Sequence, residues 1–293
     1  MKRAALGALF VSLLAPLVGH AAGTFEVSGW IPYWRAASGT QDALAHASSF
    51  TSLMPFGYVV QNDGSLHDSF ALAEAASSST STAAALLTGA KSAGVKVVPS
   101  VMWSNGSATH AILSSQRKRI ALENAIAKVV KDNQFDGIDI DFESKIYESR
   151  AYFSLFLQGL KSRLGKKLLY CAIEPRTPPS SYFDVIPEKL QYVNDYYVIG
   201  KYCDRVEIMA YDQGTTDLRL NAAAAGRPYI PVSDPLWVKK VATLASGFID
   251  KKKLVLGIPT YGYEYELSRL TQGYRYRLQW ALNPAYAVQL AGN

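Results

Sequence analysis

The chain has 293 residues, of which 49% are hydrophobic and 18% charged, with mean hydropathy near zero. Those values exclude a disordered or fibrous polypeptide and leave room for one large domain or two smaller ones. The net charge of +6 is modest and scattered: Arg117–Arg119 opens an amphipathic helix, Lys251–Lys253 precedes a strand, and no DNA- or RNA-reading motif accompanies either.

At the N-terminus, Lys2 and Arg3 precede an apolar stretch from Ala4 to Val18, followed by small residues through Ala21 and Ala22. This pattern predicts a cleaved secretory signal over residues 1–22, which leaves a mature charge of about +4 and no membrane span in the mature chain. Residues 23–293 are then one domain. Its two cysteines, Cys171 and Cys203, lie in and just before apolar strands. Two buried thiols are expected, although a Cys171–Cys203 bridge remains open because spacing does not decide pairing. His20, His46, His67 and His110 show no ligand spacing, so neither a metal nor a cofactor is expected.

Seven strand-like runs follow in order: 25–34, 52–60, 95–103, 135–142, 167–173, 205–211 and 254–261. Helical patterning fills most of the intervals. Thr82 is the expected cap of a helix over Ala83–Ala93, which Gly94 ends. Ile120, Leu122, Ala125, Ile126, Val129 and Val130 recur at helical spacing, and Tyr152, Leu155, Phe156 and Leu160 line a later helical face. Alternation of strand and helix means a parallel sheet. The regular spacing and the lack of an interior linker favour an α/β fold of the (β/α)8 TIM-barrel type. An eighth strand is missing: a tyrosine-rich loop and the apolar segment 286–290 follow the seventh, so the barrel is expected to be C-terminally incomplete.

The segment from Phe135 to Glu143, FDGIDIDFE, carries the chemistry. Strand alternation turns Asp139, Asp141 and Glu143 to one face and Ile138, Ile140 and Phe142 to the other. In a barrel the apolar set faces the helices, so the carboxylates point inward and climb toward the C-terminal mouth, where barrel enzymes hold their active sites. Three buried like charges raise one another's pKa, and a carboxylic acid that persists near neutral pH can act as a general acid. A calcium loop would be polar and carry a glycine turn after its third ligand, where this sequence has Ser144 after Glu143.

The same segment resembles the D-x-x-D-x-D-x-E signature of glycoside hydrolase family 18, the chitinase family, with Asp136, Asp139, Asp141 and Glu143 at its fixed positions. Gly29–Trp34 is similar to that family's first strand, Met209–Asp212 to its M-x-Y-D motif, and Gly257–Gly262 to its G-x-P-x-Y-G strand. The resemblance runs from about Phe25 to Asn293. Pro55–Tyr58 followed by Asp63–Leu66 is similar to bacterial members associated with spore cortex and peptidoglycan.

The resemblance implies a secreted or periplasmic glycosidase that cleaves β-1,4 bonds in glycans containing N-acetylglucosamine, as a monomer without cofactor. Glu143 would be the general acid and base, Asp141 would hold the substrate's acetamide, Asp139 would share a proton with Asp141, and Tyr211 and Asp212 would contact the sugar. Met209 would pack beneath it. Asp136 falls on the opposite face and is expected to be structural. Trp34, Trp103 and Tyr261, at strand ends, are candidate platforms for sugar rings, and Glu174 is within reach of the cleft or belongs to the turn at Pro175. The family also implies a tryptophan on an eighth strand under the sugar, a place Trp280 does not fill. Two other readings stand beside the hydrolase: a chitinase-like lectin on the same barrel, and an inactive open fragment.

Overall fold

The structure is a computed structural model that describes residues 25–292, so the expected leader, residues 1–22, lies outside the described residues. Its strands are β1 (Ser28–Ile31), β2 (Ser52–Val60), β3 (Leu66–Asp68), β4 (Lys96–Val97), β5 (Ser100–Trp103) and β6 (Gly137–Phe142), followed by β7 (Leu168–Ile173), β8 (Arg205–Ile208), β9 (Leu254–Leu256), β10 (Gly262–Arg269) and β11 (Tyr274–Leu282). Strands β1, β2, β5, β6, β7, β8 and β9 pair in that order, every step parallel. The spatial order follows the chain without reversing, as in a barrel; a doubly wound sheet would turn back at a switch point. Among the described residues no eighth strand joins β9 to β1, so the TIM barrel is open along that seam.

The expected strand 95–103 is split. Pro99 has no N–H to give to a neighbouring strand, and the ladder passes from β4 to β5 around Val98 and Pro99. Strand β3 folds back antiparallel on β2, while β10 and β11 form a separate antiparallel hairpin beyond the seventh barrel position.

The helices are α1 (Ala36–Ala45), α2 (Thr82–Ala93), α3 (Gly106–Leu113), α4 (Gln116–Asp132), α5 (Arg150–Leu164), α6 (Tyr196–Tyr202), α7 (Leu218–Ala223), α8 (Pro235–Ala245) and α9 (Pro284–Ala291). Thr82 is the first residue of α2 rather than its cap. The cap is Ser81, whose hydroxyl accepts from the Ala84 N–H at 3.1 Å, and Gly94 closes the helix at φ 70° as expected. On α5 the inward residues are Phe153, Phe156, Leu157, Leu160 and Leu164; Leu155 points away and is 45% exposed. The apolar segment 286–290 belongs to α9, with Asn283 as its cap.

Strand side chains that face outward join the helices in one core. Ile138, Ile140 and Phe142 are fully buried there, and the Phe142 ring stacks on Phe156 at 5.3 Å. One charge enters this layer. Glu123 on α4 lies 2.7 Å from the Arg163 guanidinium of α5 and 3.7 Å from that of Arg119. Gly159 makes room for it, since a Cβ there would stand 2.3 Å from the Glu123 carboxylate.

The two cysteines are not free thiols. Pairing of β7 with β8 brings Cys171, in β7, and Cys203, just before β8, to a Cα separation of 6.1 Å, and they form a disulfide. Sequence spacing could not decide this, because strand adjacency sets the distance. The bridge closes a separation of 32 residues. Replacing both cysteines with alanine is expected to cost about 3–4 kcal/mol of unfolding free energy, read as a lowered denaturant midpoint with the folded circular dichroism spectrum retained.

Candidate active site

Strand β6 builds the site. Its outward side chains hold it against α5, which leaves Asp139 and Asp141 no place but the barrel interior; they are 0% and 8% exposed. Glu143 follows the strand's end and is half-buried, its backbone N–H tied to the Trp103 carbonyl at 2.7 Å. The three carboxyls climb from a closed interior to an open mouth. Asp136 stands outside this column, where its carboxylate accepts from the Val97 N–H at 2.8 Å.

Burial governs the protonation of the column. It pushes Asp139 up to about 6, against the pull of the Ser100 hydroxyl, which donates to Oδ2 at 2.7 Å. Asp141 is raised well above the usual carboxylate range by burial and then by the charges of Asp139 and Glu143. Glu143 is raised by burial and next by the Glu174 carboxylate, with Lys145 pulling the other way and Asp212 adding to the rise. A protonated Glu143 at the mouth is the state a general acid needs.

After Glu143 the chain turns sharply, with Ser144 at φ 53°. The Ser144 N–H donates to Glu174 Oε1 at 3.2 Å, and Asn194 Nδ2 donates to Glu174 Oε2 at 2.7 Å. Lys145 is buried beneath this turn, its ammonium donating to the Phe142 carbonyl and lying 3.5 Å from Glu174. Glu174 is therefore both a cleft residue and a fastening for the loop that carries Glu143.

The opposite wall comes from the end of β8. Met209 and Tyr211 face the cleft, and burial, then Asp141 and Glu143, raise the Tyr211 hydroxyl so that it remains a neutral donor. Gly257, after β9, lets that ring lie close, since a Cβ there would stand 2.8 Å from Tyr211 Cε1. Asp212 takes a left-handed backbone, φ 54°, and one of its oxygens accepts from the hydroxyls of both Tyr261 and Tyr263 at 2.7 Å.

Asp141, Glu143, Glu174 and Tyr211 open on a cleft of about 620 Å³. Trp30, Trp34, Trp103, Met209 and Asp212 line it as well. Trp34 is 62% exposed at its rim, whereas Trp103 is buried edge-to-face against Phe142 with its indole N–H unpartnered. Tyr261 stands beside the cleft with its hydroxyl occupied by Asp212, and Trp280 is 66% exposed on the hairpin. Among the described residues no group of three His, Cys, Asp or Glu side chains is arranged to hold a metal ion.

Sequence reasoning missed Lys145, Ser100, Tyr263 and Glu207. The signal for Glu207 was available: Glu207 and Met209 are two apart along one run, so they share the inward face. Glu207 is 1% exposed. The others depend on contacts between elements that no local pattern displays.

Comparison with known proteins follows the same outline. The sequence profile of the glycosyl hydrolases family 18 matches residues 30–285. The uncharacterized glycosylase YvbX of Bacillus subtilis is 27% identical over 163 residues, 56% of this chain and 44% of that protein. The cortical fragment-lytic enzyme of Bacillus anthracis is 29% identical over 44% of this chain and 27% of its own length, and chitinase 1 of Aphanocladium album is 28% identical over 56% and 39%. The chain thus matches less than half the length of each of these curated relatives. Among solved structures, the spore cortex-lytic enzyme SleL of Bacillus megaterium superposes with a TM-score of 0.67 at 24% identity, over 91% of this chain and 57% of that one. The C-terminal domain of a putative chitinase from Desulfitobacterium hafniense reaches 0.71 at 23% identity, over 91% and 76%. A profile match that takes in every barrel strand from Trp30 onward, over a barrel with an inward acid column, places the chain in glycosyl hydrolase family 18.

Proposed function

We propose that this glycosidase hydrolyses β-1,4 bonds following N-acetylglucosamine in chitin-like or peptidoglycan-type glycans, with retention of configuration and with the substrate's own acetamide as nucleophile. The supporting observation is the graded column of Asp139, Asp141 and Glu143, which puts the raised acid of Glu143 at the mouth, Asp141 in the cleft wall and Asp139 closed off behind it. No second carboxylate stands at the mouth free of other partners: Glu174 is held by Ser144, Asn194 and Lys145, and Asp212 by two tyrosines. That arrangement suits attack by the substrate's own carbonyl better than attack by an enzyme carboxylate, an exception to the two-carboxylate scheme.

Glu143 gives its proton to the glycosidic oxygen as the acetamide carbonyl oxygen attacks the anomeric carbon and the leaving sugar departs. Asp141 holds the acetamide N–H and balances the positive charge of the oxazolinium ion. The Tyr211 hydroxyl hydrogen-bonds the acetamide oxygen and aligns it. Water then gives a proton to Glu143 and attacks the same carbon, which regenerates the acetamide and leaves the original configuration. Trp103 and Asp212 contact the sugar, Met209 supports it from below, and Tyr261 holds Asp212 in place. The names of two relatives, a cortical fragment-lytic enzyme and a chitinase, agree with this substrate class. Export through a cleavable leader at residues 1–22 brings the enzyme to such glycans outside the cytoplasm.

N-Acetylchitooligosaccharides are expected to be hydrolysed and their fully deacetylated counterparts left intact. Nuclear magnetic resonance of the fresh product should show the retained anomer, and an inverted product would overturn the mechanism. Glu143→Gln should lower kcat by about a hundredfold or more, because the proton donor is lost and the shape is kept.

The alkaline limb of the kcat/KM profile should lie above the ordinary glutamate range, since Glu143 acts in its protonated form and its pKa is raised. Glu174→Gln removes a neighbouring negative charge and lowers that pKa, so the limb should move to lower pH. Lys145→Met removes the opposing positive charge and should move it to higher pH.

A further inference from the structure

Glu207 belongs to none of the family motifs, yet it is buried inside the barrel beneath the acid column. It lies on β8, two strands from β6, and its register partner on β7 is Ala172. Ala172, 2% exposed, carries only a methyl group at that position, and the buried indole N–H of Trp30 also lies against Asp139. Asp139 Oδ1, Asp141 Oδ1 and Glu207 Oε2 are all buried without a hydrogen-bond partner among the protein's groups. Three carboxylates cannot satisfy one another, because each ionised group only accepts. Buried polar oxygens without donors are costly, and shared protons remove the cost.

We propose that Glu207 is a positioning residue of the catalytic column, a carboxylic acid that keeps its proton and donates it as a hydrogen bond to Asp139. The inference rests on the hydrolase reading above for its role in turnover, but not for its protonation. Asp139, Asp141 and Glu207 then hold two protons and one negative charge among them. One proton stays on Glu207 and the other is shared between Asp139 and Asp141. When Asp141 takes the shared proton, the anion left on Asp139 is held by the Glu207 O–H and the Ser100 hydroxyl, with the Trp30 indole N–H beside it, and the proton returns when Asp141 releases it. No proton is consumed.

The charged surroundings favour an acid at this position. Burial and then the charges of Asp139 and Asp141 raise Glu207 well above the glutamate range, with a further push from Glu26 on the segment before β1. Glu26 is itself paired with Arg205 and accepts from the Tyr170 hydroxyl at 2.9 Å. Lys145 is the cation acting on the column, and it acts on Asp141 and Glu143.

Two arms of the test need no activity. An acid whose pKa is raised by folding loses stability as pH rises from its unfolded value, near 4.3, toward its folded one. Glu207→Gln removes that loss, so the melting temperature of the variant minus that of the parent should grow from pH 4 to pH 8. Difference infrared spectra, parent minus variant, should contain a protonated carboxyl C=O band that persists at neutral pH. A melting difference independent of pH, or no such band, would overturn the proposal, and both readouts survive if no glycan is ever hydrolysed. In the third arm Glu207→Leu, which has no donor, should lose about ten- to a hundredfold in kcat at little changed KM. Glu207→Gln, which keeps an N–H donor, should lose less, and equal kcat values for the two variants would overturn the positioning role.

Discussion

The site depends on one strand having two faces with opposite demands. Ile138, Ile140 and Phe142 are fully buried among the helices, and each such side chain is worth about 1.5–3 kcal/mol removed from water. A slip of one residue would expose all three to the barrel interior and drive the acids into the apolar layer. The apolar set therefore fixes where Asp139 and Asp141 must go. The acids are not buried because burial suits them; the opposite face holds them there. Their raised proton affinity follows directly, and the stability contributed by the outward face offsets it.

This division explains what the sequence could and could not disclose. The inward column was legible because alternation is local: nine residues carry both the apolar spacers and the acids. The barrel was legible from strand–helix alternation, and every predicted strand has a counterpart, although Pro99 breaks the third in two. The disulfide was not legible, because it depends on β7 and β8 lying side by side. Ser81 displaced Thr82 as a cap by one position, the usual uncertainty when two hydroxyl residues are adjacent. Leu155 fell on the wrong face of α5 because the aromatic pair Phe153 and Phe156 sets the rotation of that helix.

Around the column the structure relies on charge placed against charge at short range. Glu174, Lys145 and Asn194 connect the turn after β6 to the loop after β7, so the position of Glu143 is shared between two strand ends. An ion pair with one buried partner, as Lys145 is here, adds little net stability, but losing Glu174 leaves the lysine stranded. Its value lies in holding geometry. The same logic applies on the other wall, where Gly257 admits the Tyr211 ring.

The hairpin β10–β11 extends this dependence outside the barrel. Tyr261 precedes it and Tyr263 sits in its first strand, and both donate to the same oxygen of Asp212, which already adopts a left-handed backbone. Further along, the Tyr229 backbone N–H donates to the Tyr276 hydroxyl on β11 at 2.9 Å. The hairpin and the loop after β8 are thus one mechanical unit spliced from two distant parts of the chain. Such a unit cannot be exchanged piecemeal: a hairpin grafted from a relative would carry its own hydroxyls into the wall of the cleft, and the orientation of Asp212 would travel with the graft rather than with the barrel.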